Sequence, residues 1–181
     1  MALAQEVVNT IEDIYALPEG QRAELLDGQM YMMTPPNTDH QRISHLLSWK
    51  IENYIQGKKG ACRVFAAPFA VFLTRDEFNY VEPDISVICD KNKLNEKGCS
   101  GAPDWVIEIV SPSTSRMDYG RKLFKYRAAG VREYWIVNPM KKTVTVYDFE
   151  HEAGTNQYVF DDTIPVCIYE DLNINISDLI S

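Results

Sequence analysis

The sequence predicts an α/β fold, with a mixed central sheet flanked by helices. Three stretches carry that expectation. Asp104 to Pro139, DWVIEIVSPSTSRMDYGRKLFKYRAAGVREYWIVNP, reads as strand, turn, helix and strand. Asp39 to Gln56 places apolar residues at every fourth position, Ile43, Leu47, Ile51 and Ile55, which lays one apolar stripe along a helix. Ala23 to Met33 sets an Asp27-Gly28 pair between two strand-like arms, the pattern of a tight hairpin.

Each element has a local reason. Thr10-Ile11-Glu12-Asp13 resembles a capping box, so a short helix starts there and ends before Pro18. Pro35-Pro36 terminates the hairpin's second arm, and Gly57 is expected to stop the long helix. Cys62 to Leu73 reads as one or two strands bent at Pro68. Within Tyr80 to Ile88, Pro83 cannot donate to a ladder, which marks a strand start or bulge and leaves Asp84 at the strand head. Lys91 to Ser100 is a polar excursion. Asp104 to Val110 is rich in Val and Ile, as a buried strand requires. Ser111 to Ser115 cannot continue that strand and supplies hydroxyls able to cap a helix. That helix runs to about Ala129, closed by Gly130 as a left-handed stop. Glu133 to Val137 is a second buried strand, ended by Asn138-Pro139. After a turn at Lys141-Lys142, Thr143 to Phe149 alternates as a strand, followed by a loop over Glu150 to Asn156. Short strands around Tyr158–Phe160 and Ile164–Ile168 and a last helical turn after Ile174 complete the chain.

The 181 residues suffice for one domain spanning 1–181 with a real core, and are few for two. Hydrophobic residues at 45% and charged residues at 24% are ordinary for a soluble globular protein. No apolar run approaches membrane-spanning length, and the opening MALAQEVVNT lacks the basic and apolar regions of a signal peptide, so a cytoplasmic protein is expected. Four cysteines, at 62, 89, 99 and 167, form no Cys-x-x-Cys pair, which favours reduced thiols over a zinc site or disulfide frame. A net charge of −8 weighs against tight, nonspecific binding of nucleic acid by a monomer, although a local basic groove can act within a negative protein.

Two acids stand where apolar residues are expected: Asp84 at a strand head and Glu108 inside the next strand. A carboxylate in a buried strand costs several kcal/mol unless it is paired or bound to a cation. If the strands are neighbours, the two carboxylates can share a divalent cation, and hard oxygen ligands with several waters suit Mg²⁺ or Mn²⁺. Lys122 lies between Tyr119 and Tyr126 on a helical stripe that faces the sheet, where it is drawn toward the two acids. A plainer reading stands beside this: Glu108 and Lys122 form a buried ion pair, and Asp84 caps a turn. The Ser111–Ser115 cluster fits helix capping, since no Gly-x-Ser-x-Gly elbow marks a serine hydrolase. His40 can serve as a cap, a surface residue or a group at the site rim. Glu24 reads as solvated, with the alternative that it reaches the metal.

Pro83-Asp84, followed 23 residues later by Ile107-Glu108-Ile109 on a strand, resembles the PD-(D/E)xK nuclease superfamily. The runs ELLDGQMYMMTPPNTDHQRI and VEPDISVI, with the long central stretch, together resemble the Uma-type family of inferred restriction endonucleases, over roughly Thr10 to Tyr147. One departure from the superfamily pattern is that Val110 stands where its lysine belongs, two residues after the glutamate. In the Uma-type family the lysine comes from the following helix, which maps it to Lys122; the family's other acid maps to Glu24 and its histidine to His40.

The resemblance implies a restriction-endonuclease-like fold and metal-dependent hydrolysis of phosphodiester bonds in DNA. Asp84 and Glu108, helped by the Ile109 carbonyl, are expected to hold Mg²⁺ or Mn²⁺. Lys122 is expected to orient the attacking water or stabilise developing charge, with Glu24 assisting through a second metal or a water. Cutting both strands of a duplex implies a homodimer. The alternative is a catalytically weak or inactive nuclease fold serving as a binding or assembly module.

Overall fold

The computed structural model describes residues 8–151 and 153–181; the first seven residues, read above for a leader, and position 152 of the expected 150–156 loop lie outside the described residues. The first half holds α1 (Ile11–Tyr15), β1 (Ala23–Leu26), β2 (Gln29–Met32), α2 (Thr38–Gly57), β3 (Arg63–Ala66), β4 (Val71–Phe72), β5 (Tyr80–Val81) and β6 (Ile85–Ile88). A 3-10 turn at Lys91–Lys93 leads into β7 (Leu94–Asn95), β8 (Gly98–Ser100) and β9 (Trp105–Ile109). Next come α3 (Ser115–Met117), a π-helical turn (Asp118–Lys122) and α4 (Leu123–Ala129). The chain then gives β10 (Glu133–Asn138), β11 (Thr143–Asp148), β12 (Gly154–Val159), β13 (Ile164–Pro165), β14 (Asn173–Ile174) and α5 (Ile176–Ile180).

The expected mixed sheet is present, in the order β12-β11-β10-β9-β6-β3. Only β9 and β10 run parallel within it; the other neighbours are antiparallel. A parallel pair needs a crossover connection, and the α3–π–α4 segment supplies it. That segment carries Lys122 over one face of the sheet. The single central sheet expected above is incomplete as a description, because the hairpin and the 91–100 excursion build a second sheet, β2-β1-β5-β4-β8-β7. Gly98, at φ +139, lets β8 close on Ala70, whose carbonyl a Cβ at this position would strike.

Alternation along β9 divides the core. Trp105, Ile107 and Ile109 join Ile43, Leu47, Ile51 and Ile55 of α2, as the apolar stripe requires. Val106 and Val110 point the other way, into a cluster with Tyr126, Val131, Tyr134 and Ile136. Glu108 shares that second face.

Local chemistry sets most boundaries. The Asp27-Gly28 turn has φ of 53° and 75°, the mirror-image turn a two-residue hairpin prefers. The capping box at Thr10 and Asp13 is formed. Gly130 takes the left-handed stop at φ 94°. Helix α2, however, runs through Gly57, and Lys59 adopts the left-handed conformation instead.

The cysteine expectation needs correction. Cys62 and Cys89 flank the β3–β6 pair, whose register sets Arg63 against Ile88, and a disulfide joins them. Facing positions of an antiparallel ladder lie close enough for this, whereas spacing along the sequence carries no trace of it. Cys99 and Cys167 are free thiols. Among the described residues, no helix is long and apolar enough to cross a membrane.

Candidate functional site

The ladder between β6 and β9 sets Ile85 opposite Ile107. One further step along that antiparallel register places Asp84 opposite Glu108, on the same face. Asp84 sits just beyond the ladder's end, and its Oδ2 accepts the Ile109 backbone N–H at 2.7 Å. The same oxygen is 3.1 Å from His40 Nε2, on the first turn of α2. Asn37 caps that helix by accepting the His40 backbone N–H at 2.9 Å, so His40 is not the cap and its ring is turned to the site. Burial pulls the imidazole down, but Asp84 and, more weakly, the Ile109 backbone outweigh it and raise His40 above its ordinary value.

Glu108 lies deeper, 4% exposed. Its Oε1 accepts Lys122 Nζ at 2.9 Å and the Tyr126 hydroxyl at 2.5 Å. Lys122, 5% exposed, is the only Lys or Arg side chain buried among the described residues. Its ammonium is 2.7 Å from Glu24 Oε2 and 3.6 Å from Asp118 Oδ1. Burial would pull Lys122 down, but Glu108, Glu24 and Asp118 together hold it well above the usual lysine value. Burial, reinforced by Asp118, Asp84 and Glu24 against the pull of Lys122, pushes Glu108 well above the carboxylate range. Asp118 is raised as well, chiefly by burial.

The structure thus brings Glu24 and Glu108 each into contact with the Lys122 ammonium, with Asp84 across the ladder from Glu108. Ile109 contributes its N–H to Asp84. Two features differ from the expectation. Glu24 is not solvated: β1 is buried along its length between β2 and β5, and Glu24 Oε1 accepts the Glu82 backbone N–H at 3.0 Å. The predicted continuous helix is broken by the π turn, which carries Asp118 at one end and Lys122 at the other. Asp118 was missed, and Tyr126, placed correctly on the sheet-facing stripe, was not foreseen as a donor to Glu108. Both stand four residues from Lys122 along the crossover, and that spacing was the one signal available.

The donor set can be tested for a divalent cation. Four carboxylates, Glu24, Asp84, Glu108 and Asp118, gather around one lysine ammonium and a histidine, leaving excess negative charge in a buried space. Asp84 Oδ1 and Glu108 Oε2 have no hydrogen-bond partner among the described residues. No group of three or more His, Cys, Asp or Glu side chains among the described residues is arranged as a metal cage. Mg²⁺ needs none, since it keeps several waters and is held by one or two carboxylates. The residues fit such an ion.

Comparison with known proteins gives a relative, a shared fold and a family. A protein of Synechocystis sp. (strain ATCC 27184 / PCC 6803 / Kazusa), "Uncharacterized protein slr1290", is 29% identical over 128 residues, 70% of this chain. The match spans 66% of that relative's length, just under two thirds. A crystal structure from Anabaena variabilis ATCC 29413, described as "a putative nuclease belonging to DUF820", superposes with a TM-score of 0.77 at 24% identity. That likeness covers 94% of this chain and 97% of the other, and shows the fold the two share. Residues 11–176 match the Uma2 family, described as "Putative restriction endonuclease", and the chain belongs to that family.

Proposed function

We propose that this chain is a metal-dependent nuclease that hydrolyses phosphodiester bonds in DNA. The observation that carries this reading is the facing pair Asp84 and Glu108, each with an uncommitted oxygen, beside the buried ammonium of Lys122. Asp84 and Glu108 would hold Mg²⁺ or Mn²⁺, with the Ile109 carbonyl as a further oxygen. When bound, the ion would polarise the scissile phosphate and make a bound water acidic. Lys122 is the group placed to orient that water and to offset developing negative charge. Its contacts with Glu24 and Asp118 fix where that charge sits. Both Glu24 oxygens are engaged, one by Lys122 and one by the Glu82 N–H, so in this reading Glu24 holds the lysine rather than a second metal.

His40 bears on loading, because it shares Asp84 Oδ2 with the Ile109 N–H and must give way if that oxygen turns to a cation. Cleavage of both strands of a duplex calls for two such sites, and the reading includes a two-fold dimer. Light scattering across a wide concentration range should give twice the chain mass; a monomer throughout would reduce the reading to single-strand nicking.

The direct test is conversion of supercoiled plasmid in Mg²⁺ and Mn²⁺ by wild type and Asp84→Asn. Metal-dependent nicking or linearisation by wild type, abolished in Asp84→Asn, is expected. Failure of wild type to cut plasmid, single-stranded DNA or RNA in either metal would overturn the reading and leave a binding or assembly module on a nuclease fold.

A further inference from the structure

Asp118 is 2% exposed, and its Oδ1 has no hydrogen-bond partner although it is buried. A buried carboxylate oxygen left without a partner is destabilising, so its retention calls for a reason. The nearest cation to that oxygen is Lys122 Nζ, 3.6 Å away. The backbone around it is also unusual. Asp118–Lys122 forms a π turn between α3 and α4, and such turns are uncommon and concentrate at functional sites.

This π turn is supported from outside the helix. The Tyr134 hydroxyl, fully buried on β10, donates to the Asp118 carbonyl at 3.1 Å. A widened turn disturbs the regular carbonyl ladder, and here a side chain from the sheet meets the carbonyl at its start. The turn is therefore held by the same strand pair that carries Glu108. Glu24 and Glu108 bracket the ammonium at 2.7 and 2.9 Å, and Asp118 faces it from the lysine's own helix.

We infer that Asp118 is a positioning residue: with the Tyr134-supported π turn, it aims the Lys122 ammonium at the space beside Glu108. The inference rests on the proposed nuclease reading for its consequence in turnover, but not for its geometry. Asp118 touches neither a phosphate nor a metal ion in this account. It acts through Lys122, by confining an otherwise flexible four-carbon side chain.

The experiment pairs Asp118→Asn with Tyr134→Phe and reads two quantities in each. The first is plasmid cleavage resolved into kcat and KM at saturating Mn²⁺. The second is the NMR order parameter of the Lys122 Nζ ammonium in metal-free protein. Asp118→Asn keeps the shape and removes a buried charge, so it should fold with an unchanged or raised melting temperature. Its kcat should fall on the order of 100-fold with KM unchanged, because misplacement of about 1 Å at a reacting centre has that effect. The ammonium should become more mobile in both variants.

A wild-type kcat with unchanged ammonium mobility in folded Asp118→Asn would overturn the inference. Loss of cleavage through KM alone, with a rigid ammonium, would do the same, since that is the pattern of a residue acting apart from Lys122. Should Asp118→Asn fail to fold, Tyr134→Phe carries the decision on the same two readouts. If wild type cuts nothing, the nuclease reading fails by itself, and the Lys122 mobility still decides whether Asp118 holds the lysine.

Discussion

Glu133 and Glu108 stand on adjacent parallel strands, both almost wholly buried, and burial raises both carboxyls above the ordinary range. Their surroundings differ. Glu133 Oε1 accepts the Trp135 indole N–H at 2.6 Å and the Cys167 N–H at 3.0 Å, while its Oε2 accepts the Ile168 N–H at 3.0 Å. Every donor is neutral, both oxygens are used, and the carboxylate ties the C-terminal segment to the sheet. Glu108 places Lys122 and Tyr126 on one oxygen, leaves the other without a partner, and has three more carboxylates nearby. The pair teaches that burial of an acid does not mark a site. An uncommitted oxygen and excess like charge do.

The largest expected effect separates the two on activity. Lys122→Ala should lower metal-dependent cleavage by roughly 10²–10³-fold, the usual consequence of removing a preorganised charge, while metal binding persists. Glu133→Gln should cut at the wild-type rate. Adding Val110→Lys to Lys122→Ala should restore part of the loss, because Val110 shares the face of Glu108. Plasmid nicking alongside thermal melts reads all four proteins, and wild-type cleavage by Lys122→Ala would remove that lysine from the mechanism.

Stability sharpens the comparison next. Glu133→Gln sets an amide N–H₂ against a backbone N–H and should cost about 1–3 kcal/mol. Glu108→Gln relieves repulsion among carboxylates, so metal-free stability should hold or rise. Equal destabilisation in chemical denaturation would show that Glu108 is as structural as Glu133.

The smallest effect is a slope with pH. Glu108 and Glu133 are both raised on folding, so the folded state holds their protons more tightly than the unfolded chain. Their contribution to stability is full below the ordinary carboxylate range and is lost as pH climbs through the raised values. Each contributes at most about 1.4 kcal/mol per pH unit in that window. Saturating Mn²⁺ should remove the Glu108 part of the decline and leave the Glu133 part. Melts from pH 4 upward, with and without Mn²⁺, would show this; a decline unaffected by the ion would contradict it.

Where an element rests on nearby residues, the sequence was sufficient. The Asp27-Gly28 hairpin, the α2 stripe, the Gly130 stop and Asp84 ahead of its strand all follow from turn chemistry and periodicity within a few positions. Features that depend on distant partners were not readable. Glu24 looked solvated because its burial is made by β5 and Lys122, which lie far along the chain. Asp118 offered only its spacing from Lys122, while the carbonyl at the start of its π turn is met by Tyr134 of a later strand. The second sheet escaped notice because its strands β4, β5 and β7 are only two residues long and carry no period. Glu133, last, read as an ordinary strand start, since only the folded chain brings the Cys167 and Ile168 N–H groups to it.

Calorimetric titration of Mn²⁺ into wild type, Asp84→Asn, Glu108→Gln and Glu133→Gln tests the central claim most directly. The account predicts binding by wild type and Glu133→Gln, with loss in both Asp84→Asn and Glu108→Gln while each remains folded. Equal binding by all four proteins would contradict it, and would leave Glu108 as one more buried acid held by a lysine.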